Sequence, residues 1–557
     1  MQRSGTEALV QQLKADGVEY VFGNPGTVEE GLLDALNTTS GMTYVLALQE
    51  TVALAMADGY ARASRKPGIV QLHSGVGLGN GIGMLYQAMR GHAPLVVVAG
   101  EAGRRYDALD AQMAADLIGM ARPVTKWAAR AIDPESVLRL TRRALKIALT
   151  PPMGPVFLAL PMDVLDAPNC EPVVPTPRLV TRVVPDPTHV AAAAEMLVHA
   201  QRPALLLGDG VAASGAQLAV AHIAEMLGAE IWGADSSEVN VPADHLLFRG
   251  QLGHMFGTDS RRMTSQADVV LVCGTYVLPE VFPALDGVFA PDARVIHIDL
   301  DAYEIAKNFP VDLGLVSDPK LTLEALAQQL EAVMSASSRN AARTRAMQIA
   351  ALKEQTEHAQ RQRDMAVRED VPLHASRFME ELGAALPSDA IVFDEALTCS
   401  PHLTRYVPPI TPGHYFQTRG GSLGTGIPGA LGIKLARPDK TVIGVSGDGG
   451  SMYTIQALWT AAHHRIGAKF VVCNNRSYEL LKVNIQHYWQ TSGRSDGIFP
   501  SSFDLRDPDL RFDKLAQSLG VPAVRVELPE QIGPAIGQAL AHDGPFLIDA
   551  VFTNALP

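Results

Sequence analysis

The chain has 557 residues, which is too many for one hydrophobic core and predicts several domains. Its 46 Lys and Arg residues against 59 Asp and Glu residues give a net charge of −13, which argues against a general nucleic-acid or anionic-membrane binder. Apolar residues make up 47% and charged residues 19%, a composition that excludes disorder as the main state.

No apolar run that would serve as a secretion signal is present in the first ten residues. The longest strongly apolar stretches, at 93–99 and 267–273, have the length of strands and are too short to cross a bilayer. The four cysteines lie far apart without a CxxC pair, so neither a zinc site nor a disulfide framework is predicted. We expect a cytoplasmic protein with no membrane and no nucleic-acid partner.

Short apolar runs alternate with helical patterns along the first part of the chain. Apolar strands separated by helices are typical of parallel sheets covered on both faces. The alternation predicts an N-terminal domain over residues 1–167. Its predicted strands are Val18–Phe22, Gly68–Gln71, Leu95–Val98 and Val156–Leu160.

Two segments interrupt this alternation. Pro168–Pro187 is rich in proline and predicts an extended connection, after which the pattern resumes in a central domain over 188–335. Ser335–Val371 is rich in Ala, Arg, Gln and Glu and predicts a solvated helical linker before a third domain over 372–557. The predicted fold class is α/β, with three doubly wound parallel-sheet domains.

Two predicted strands of the third domain end in polar residues. Val442–Gly447 is followed by Asp448, and Lys469–Asn474 is followed by Asn475. Ligands of open α/β sheets collect at the carboxyl ends of strands, so we expect the two ends to lie side by side. The Asp448 carboxylate, the Asn475 amide oxygen and the backbone carbonyl of Ser477 are oxygen ligands suited to Mg²⁺, which phosphate oxygens and water would complete.

The glycines beside this aspartate suggest a phosphate. Gly449 and Gly450 allow close approach to one, and a helix beginning near Ser451 would direct backbone N–H groups at it. A lone Gly-Asp-Gly is more often a simple turn. Together with the later Asn-Asn, each preceded by a strand, the stretch resembles the motif of the thiamine diphosphate enzymes, and the resemblance extends over most of the chain.

That resemblance implies thiamine diphosphate held through Mg²⁺, with Asp448, Asn475 and Ser477 as metal ligands. Gly420–Ala430 resembles the segment that seats the pyrimidine ring of the cofactor. It implies that the Gly421 carbonyl accepts a hydrogen bond from the cofactor and that Leu423 lies behind the bent cofactor. The other implied cofactor contacts are Thr398, Gly449, Gly450, Ser451 and Tyr478.

The family has a catalytic glutamate in its N-terminal domain, and Glu50 is the matching residue. It follows an apolar strand and opens an Ala-rich helix. We expect its carboxyl to be desolvated, which favours the neutral form and lets it share a proton with a ring nitrogen of the cofactor. An alternative interpretation, a glutamate stabilised by the helix dipole, is compatible with that role.

Within the family, the local match is to benzoylformate decarboxylase and its acetolactate synthase-like relatives. Phe22–Thr27 resembles the first substrate loop of the decarboxylase, where the Thr27 hydroxyl would bind the substrate carboxylate. His73 follows Glu50 at the spacing of the family's active-site histidine, which implies a role in proton transfer. The remaining pocket residues that we predict are Asn24, Gly26, Leu481 and Asn484.

Some segments depart from the decarboxylase. The position of its second histidine falls on Val281 here, which weakens the case for that enzyme's own substrate. Parts of the central domain look more like acetolactate synthases and pyruvate oxidases, relatives that bind FAD. Gly208–Ala213 satisfies a loose GxGxxA pattern, but we interpret it mainly as a fold motif, so FAD is the less favoured alternative.

The sequence therefore predicts a thiamine diphosphate- and Mg²⁺-dependent, non-oxidative decarboxylase or carboligase of small 2-oxo acids, with aldehydes as further substrates. The alternatives are an acetolactate synthase-like or flavin-containing synthase or oxidase on the same scaffold. Glu50, Asp448 and Asn475 are all present, which argues against a homologue that lacks catalysis. In this family the cofactor lies between the first domain of one subunit and the third of another, which implies a dimer or tetramer.

Overall fold

The computed structural model describes residues 3–494 and 497–554. They form two compact units: one contains the chain up to residue 179 with 368–407 and the chain from 418 onwards, and the other contains 180–367 with 408–417. The helices in the described ranges include none that is both long and apolar enough to cross a membrane.

The first sheet lies in the first unit and is parallel throughout, with the strand order β2-β1-β3-β4-β6-β5. All four strands predicted for this region are present, and β2 and β5 are added at the two edges. Short length explains both omissions, since β5 has three residues and β2 has only one fully buried position. The strands are β1 (Tyr20–Gly23), β2 (Thr43–Leu46), β3 (Gly68–Leu72), β4 (Leu95–Glu101), β5 (Ala128–Arg130) and β6 (Val156–Pro161).

Helices cover this sheet. The first begins at a capping box, in which Ser4 Oγ accepts the Glu7 N–H at 3.1 Å and Glu7 Oε2 accepts the Ser4 N–H at 2.8 Å. The helices are α1 (Gly5–Ala15), α2 (Glu30–Thr38), α3 (Glu50–Ser64), α4 (Ser74–Arg90), α5 (Leu117–Ala121), α6 (Val137–Leu149) and α7 (Met162–Asp166). Residues 169–186 then run without helix or strand, in agreement with the predicted extended connection, while the domain boundaries themselves stay a prediction.

The second sheet lies in the second unit and is also parallel, with the order β12-β11-β10-β7-β8-β9. Its strands are β7 (Pro203–Leu207), β8 (Glu230–Ala234), β9 (Phe248–Leu252), β10 (Val269–Cys273), β11 (Arg294–Asp299) and β12 (Leu313–Val316). Its helices are α8 (Pro187–Val198), α9 (Gly210–Ser214), α10 (Gln217–Leu227), α11 (Gly257–Thr264), α12 (Pro319–Val333) and α13 (Ala336–Ala366).

Alternate residues of these strands face two different cores. Leu205 and Leu207 lie in one buried cluster, while Ala204 and Leu206 lie in the other. The same alternation divides the residues of β10 between the two clusters. Because successive strand residues point to opposite faces, this sheet is covered on both sides, as the apolar strands predicted.

The helical linker predicted over Ser335–Val371 is a 31-residue helix, α13. One side of it is anchored on the second unit, because Lys353 Nζ donates to the carbonyls of Ala243 and His245 at 2.6 and 3.0 Å. A side chain on Gly228 would clash with the Ala342 carbonyl of this helix. The helix is therefore partly packed and not simply solvated.

The third sheet lies in the first unit, where β13, β15, β16, β18 and β17 are neighbours in that order and parallel. The strands after residue 390 are β13 (Ile391–Glu395), β14 (Tyr415–Gln417), β15 (Val442–Gly447), β16 (Lys469–Asn474), β17 (Ala523–Val526) and β18 (Phe546–Val551), of which β14 belongs to the second unit. The helices are α14 (Ala375–Ala385), α15 (Ser400–Tyr406), α16 (Gly426–Ala436), α17 (Asp448–Ser451), α18 (Ala457–His463), α19 (Glu479–Thr491), α20 (Phe512–Ser518) and α21 (Ile532–Ala541). The predicted α/β fold with three parallel sheets is confirmed.

Two helices of the first unit, α3 and α16, approach each other closely enough to require glycine. A side chain on Gly59 of α3 would clash with the Gly429 carbonyl of α16. A side chain on Gly432 of α16 would clash with the Met56 carbonyl of α3. The helix that begins with Glu50 is therefore packed directly against the helix that follows the glycine-rich segment of the same chain.

Candidate active site

The two polar strand ends predicted to meet are adjacent in the third sheet. The strands β15 and β16 pair in parallel with Gly447 beside Cys473, so Asp448 and Asn475 follow neighbouring strand ends. The Ser477 N–H points between them, 3.3 Å from Asp448 Oδ2 and 3.1 Å from Asn475 Oδ1. The structure therefore brings together the three residues that were predicted to bind the metal.

The pKa of this aspartate is shifted by burial. Asp448 is 4% exposed, and burial raises its pKa to about 6, although N–H groups of Gly449 and Ser477 oppose the shift. Within the described residues, no lysine or arginine forms a salt bridge with it. A buried carboxylate without a basic partner, next to an amide oxygen, is a donor set that fits a divalent cation such as Mg²⁺.

The helix after the aspartate differs from the prediction. It was expected to begin near Ser451, but α17 begins at Asp448 and ends at Ser451. The prediction was wrong because Gly447, extended at φ −72° and ψ 160°, already acts as the N-cap. The Ser451 hydroxyl donates to the Gly447 carbonyl at 2.8 Å, so its proton is engaged within this single turn.

The two glycines of the turn are used differently. A side chain on Gly449 would clash with the ring of Tyr478, so this glycine makes room for the tyrosine that was predicted as a cofactor contact. A Cβ on Gly450 would lie 3.5 Å from Ser446 Oγ, which is ordinary contact. The tyrosine ring therefore limits how closely a ligand can approach the turn at Gly449. The contacts of Gly449, Gly450 and Tyr478 with a cofactor stay a prediction.

The glycine-rich segment before α16 has a backbone that only glycine adopts easily. Gly420, Gly421 and Gly424 have φ values of 76°, 78° and 87°. A Cβ on Gly421 would meet nothing within 4 Å, so its backbone borders open space, and Leu423 beside it is half-buried. This geometry suits the predicted backbone contact of Gly421 with a ligand.

A buried acid that was missed in the sequence holds this segment. The Glu395 carboxylate, 1% exposed, accepts the backbone N–H groups of Gly424, Thr425 and Gly426 at 2.6, 3.1 and 2.7 Å. It also accepts the Ser446 hydroxyl at 2.9 Å. Burial raises the pKa of Glu395, and these four donors oppose that shift. The available signal was its place at the end of β13, at the same edge of the sheet as Asp448.

Glu50 is the first residue of α3 and is 6% exposed, so the expected burial is confirmed. Its Oε1 accepts the Asn24 amide at 3.3 Å and its Oε2 accepts the Asn80 amide at 3.1 Å. Asn24, predicted as a pocket residue, thus contacts the glutamate. Asn80 was missed in the sequence. Its place at the first position of α3 also fits the alternative interpretation, in which the helix dipole stabilises the side chain.

His73 lies beside Glu50 at the start of α4. A Cβ on Gly77 would lie 3.1 Å from Glu50 Oε1 and 3.4 Å from His73 Cβ, so both side chains flank the same helical turn. Gly26, predicted as a pocket residue, packs against the His73 ring, since a side chain there would clash with Nδ1. The predicted substrate loop, the histidine and the glutamate thus lie in one cluster.

A second missed acid, Glu29, binds this histidine. Its Oε2 lies 3.0 Å from His73 Nδ1, and its Oε1 accepts the Gly100 N–H at 2.9 Å. Burial raises the pKa of Glu29, which is 3% exposed, and the bond to His73 opposes that shift. With Glu29 as the acceptor the ring donates through Nδ1, which leaves Nε2 as the nitrogen available for the predicted proton-transfer role.

We expect Glu29→Gln to lower turnover on the order of a hundredfold, the lower end of what a positioned acid–base group contributes. The substitution keeps the shape of the side chain but removes the charge that favours an Nδ1–H on His73. Steady-state rates across pH should show a changed profile with little change in KM. Glu30→Gln, an exposed neighbour, is the matched control. An unchanged profile and rate in Glu29→Gln would contradict the role.

The remaining predicted residues are placed less centrally. Thr27 is exposed, and the Thr398 hydroxyl donates to Glu479 Oε2 at 3.3 Å. Leu481 is 43% exposed and Asn484 is half-buried, and their spacing of three places them on one face of α19. Their roles toward a cofactor or substrate stay predictions.

In the second unit, the glycines of the Gly208–Ala213 pattern allow close packing of the backbone. A side chain on Gly208 would clash with Thr275, and the Gly210 N–H donates to the Gly274 carbonyl at 2.9 Å. The glycines let this turn pack on the end of β10, which supports the interpretation as a fold motif. Val281, in the loop after β10, is 59% exposed.

Family models match three parts of the chain. They describe the thiamine pyrophosphate enzyme N-terminal binding domain at residues 3–120, its central domain at 190–326 and its C-terminal binding domain at 397–550; thiamine pyrophosphate is thiamine diphosphate under another name. The chain is 32% identical to a benzoylformate decarboxylase of Pseudomonas aeruginosa over 548 residues, covering 97% of each chain. It is 30% identical to the acetolactate synthase isozyme 3 large subunit of Escherichia coli over 554 residues, covering 96% of this chain and 92% of the relative.

A solved structure agrees with these matches. The thiamine diphosphate-dependent 4-hydroxybenzoylformate decarboxylase of Rhodococcus jostii superposes with a TM-score of 0.84 at 28% identity, covering 99% of each chain. The three matched domains follow one another in the order of the three parallel sheets, and the likeness covers nearly the full length. The chain belongs to the thiamine pyrophosphate-dependent enzymes.

Proposed function

We propose that this chain is a Mg²⁺- and thiamine diphosphate-dependent decarboxylase or carboligase of 2-oxo acids that works without an oxidant, as a benzoylformate decarboxylase does. The observation that supports this proposal is the pairing of His73 with buried Glu29 on the helical turn that Glu50 also flanks. In our proposal the imidazole transfers a proton close to the glutamate. Replacing CO₂ by a proton at the carbonyl carbon requires such a group.

The cofactor, when bound, supplies the electron sink that accepts the electron pair left by CO₂. In our proposal Asp448, Asn475 and the Ser477 carbonyl hold Mg²⁺ and, through it, the diphosphate. Glu50 holds a proton at its carboxylate, where the Asn24 and Asn80 amides orient it.

We further propose that His73 moves a proton through Nε2 and that the Thr27 hydroxyl binds the substrate carboxylate. The cofactor contacts in this proposal are Thr398, Gly421, Leu423, Gly449, Gly450, Ser451 and Tyr478. The pocket residues are Asn24, Gly26, Leu481 and Asn484, and the three domains are 1–167, 188–335 and 372–557.

An acetolactate synthase-like carboligase is the second candidate. It is favoured by the 30% identity to the Escherichia coli enzyme and by Val281, which supplies no titratable group where the decarboxylase resemblance predicts a second histidine. The two candidates differ in their product: the first releases an aldehyde or joins an added aldehyde, whereas the second forms acetolactate from pyruvate.

The test is to incubate the holoenzyme with 2-oxo acids, including pyruvate and benzoylformate, with and without added aldehydes. We expect CO₂ release from an aryl 2-oxo acid and formation of the matching aldehyde. Acetolactate from pyruvate would favour the second candidate. Absence of CO₂ release from every acid in the panel would sink both.

We also propose that the site is shared between protomers, as the family resemblance implies. The hydrogen bonds of the two residues support this proposal, because Glu50 is bound by Asn24 and Asn80 and Asp448 by Gly449 and Ser477, in separate clusters.

Mixing two inactive variants tests this sharing. In a symmetric dimer whose two sites each take Glu50 from one protomer and Asp448 from the other, a heterodimer of Glu50→Gln with Asp448→Ala has one native site. We expect the co-expressed, differently tagged variants to recover about a quarter of wild-type activity at random pairing. Light scattering reports the oligomeric state. Lack of recovery in purified heterodimers would show that both residues act within one chain.

A further inference from the structure

Glu479 is an acid that neither the sequence motif nor the family resemblance assigned to the site. It is the first residue of α19, and it is buried although the rest of that helix is half-buried or exposed. Its exposed fraction is 8%, and burial raises its pKa. A lone buried acid at the start of an otherwise exposed helix needs an explanation, since burial of a charge is costly.

The carboxylate is bound by two residues of the proposed cofactor site. Its Oε2 accepts hydrogen bonds from the Asn475 side-chain nitrogen and, at 3.3 Å, from the Thr398 hydroxyl. Asn475 is a proposed metal ligand and Thr398 a proposed diphosphate contact. Glu479 therefore connects the two parts of the site that would hold the cation and the diphosphate.

This contact determines which way the Asn475 amide faces. The Asn475 nitrogen donates to Glu479 Oε2, so the amide presents its nitrogen to the carboxylate. The oxygen then lies on the other side, where it is 3.1 Å from the Ser477 N–H and on the same side as Asp448 Oδ2, which the same N–H also contacts. A divalent cation needs the oxygen there, because an amide nitrogen is not a ligand for Mg²⁺.

The charge of the pocket leads to the same conclusion. Asp448 and Glu479 are both buried. In the described part of the chain, neither carboxylate has a salt bridge, although the charge of Lys482 acts on Glu479. Two buried acids that form no salt bridge attract a cation, and they disfavour a bare diphosphate.

We propose that Glu479 is a positioning residue of the metal site, which turns the oxygen of Asn475 toward the cation and adds negative charge that tightens cation binding. The inference rests on the proposed function, because it assumes that Asp448 and Asn475 bind a divalent metal. Glu479 itself acts through Asn475 and Thr398.

The experiment uses the full chain at saturating thiamine diphosphate and titrates Mn²⁺, whose free form is read by its electron paramagnetic resonance signal. We expect Glu479→Ala to weaken Mn²⁺ binding about tenfold, the effect typical of residues that orient metal ligands. Glu479→Gln should fall between it and wild type, since its amide keeps the shape but can face Asn475 with either atom. Gln490→Ala, an exposed residue of the same helix, is the matched control and should match wild type.

Asp448→Ala distinguishes a wrong role for Glu479 from a wrong metal site. If wild type binds Mn²⁺, Asp448→Ala does not, and Glu479→Ala stays within twofold of wild type, the role of Glu479 is wrong while the metal site stands. If wild type itself shows no cofactor-dependent Mn²⁺ binding, both fail. Should Glu479→Ala lose its native circular dichroism, Glu479→Gln decides: weaker binding by about threefold or more supports the role, and wild-type binding overturns it.

Discussion

Glu50→Gln is expected to lower turnover by about a thousandfold or more while thiamine diphosphate remains bound. The glutamine keeps the volume of the side chain in its buried position, so packing against the first turns of α3 and α4 is preserved. It cannot hold or release the proton at this site. Its amide nitrogen would also face one of the two amide donors, Asn24 or Asn80, which now point at carboxylate oxygens.

The measurement pairs steady-state turnover with the amount of thiamine diphosphate that stays bound after gel filtration. Glu30→Gln changes an exposed acid of the same unit in the same way and should behave as wild type. Near-normal turnover of Glu50→Gln would overturn the catalytic assignment. Loss of the cofactor together with turnover would make Glu50 a binding residue.

Asp448→Ala is expected to abolish metal-dependent retention of thiamine diphosphate, with a loss of cation affinity on the order of a hundredfold or more. The substitution removes the one carboxylate among the three proposed ligands and leaves the Gly449 N–H without its acceptor, while the Ser477 N–H keeps Asn475 Oδ1. A diphosphate held through the cation should then leave with it.

Bound cofactor after gel filtration, with and without added Mg²⁺, measures this effect. Asp439→Ala, which changes an exposed aspartate of the same unit, is the control. Because burial raises the pKa of Asp448 to about 6, protons should compete with the cation in wild type as the pH falls through that value. Unchanged cofactor retention in Asp448→Ala would rule out the metal site.

Several features followed from local pattern alone. The apolar runs predicted the strands, because a parallel strand covered on both faces needs apolar residues at successive positions. The adjacency of Asp448 and Asn475 followed from the rule that parallel strands end at one edge of a sheet, and β15 and β16 are indeed neighbours. The burial of Glu50 followed from its place between an apolar strand and an Ala-rich helix.

The residues that the sequence did not reveal each have a partner far along the chain, although Glu479 also bonds Asn475 four positions away. Glu29 reaches His73 over 44 positions, Glu395 reaches Gly424 over 29, and Glu479 meets Thr398 over 81. An acid in such a pairing has no periodicity or motif of its own, since its partner is brought to it only by folding. Sequence reasoning therefore identified the groups proposed to do the chemistry and overlooked those that orient them.

By itself, the sequence determined the α/β class, the succession of three parallel sheets and the identity of the acid and amide groups at two strand ends, because these depend on periodicity and on neighbours in the chain. Tertiary structure alone decided the contact of Gly449 with Tyr478, the buried acids behind the histidine and the glycine segment, and the contact of Glu479 with Thr398. Those features depend on which distant side chains come together on folding, and for the acids the cost of burying a charge without partners selects the donors around them.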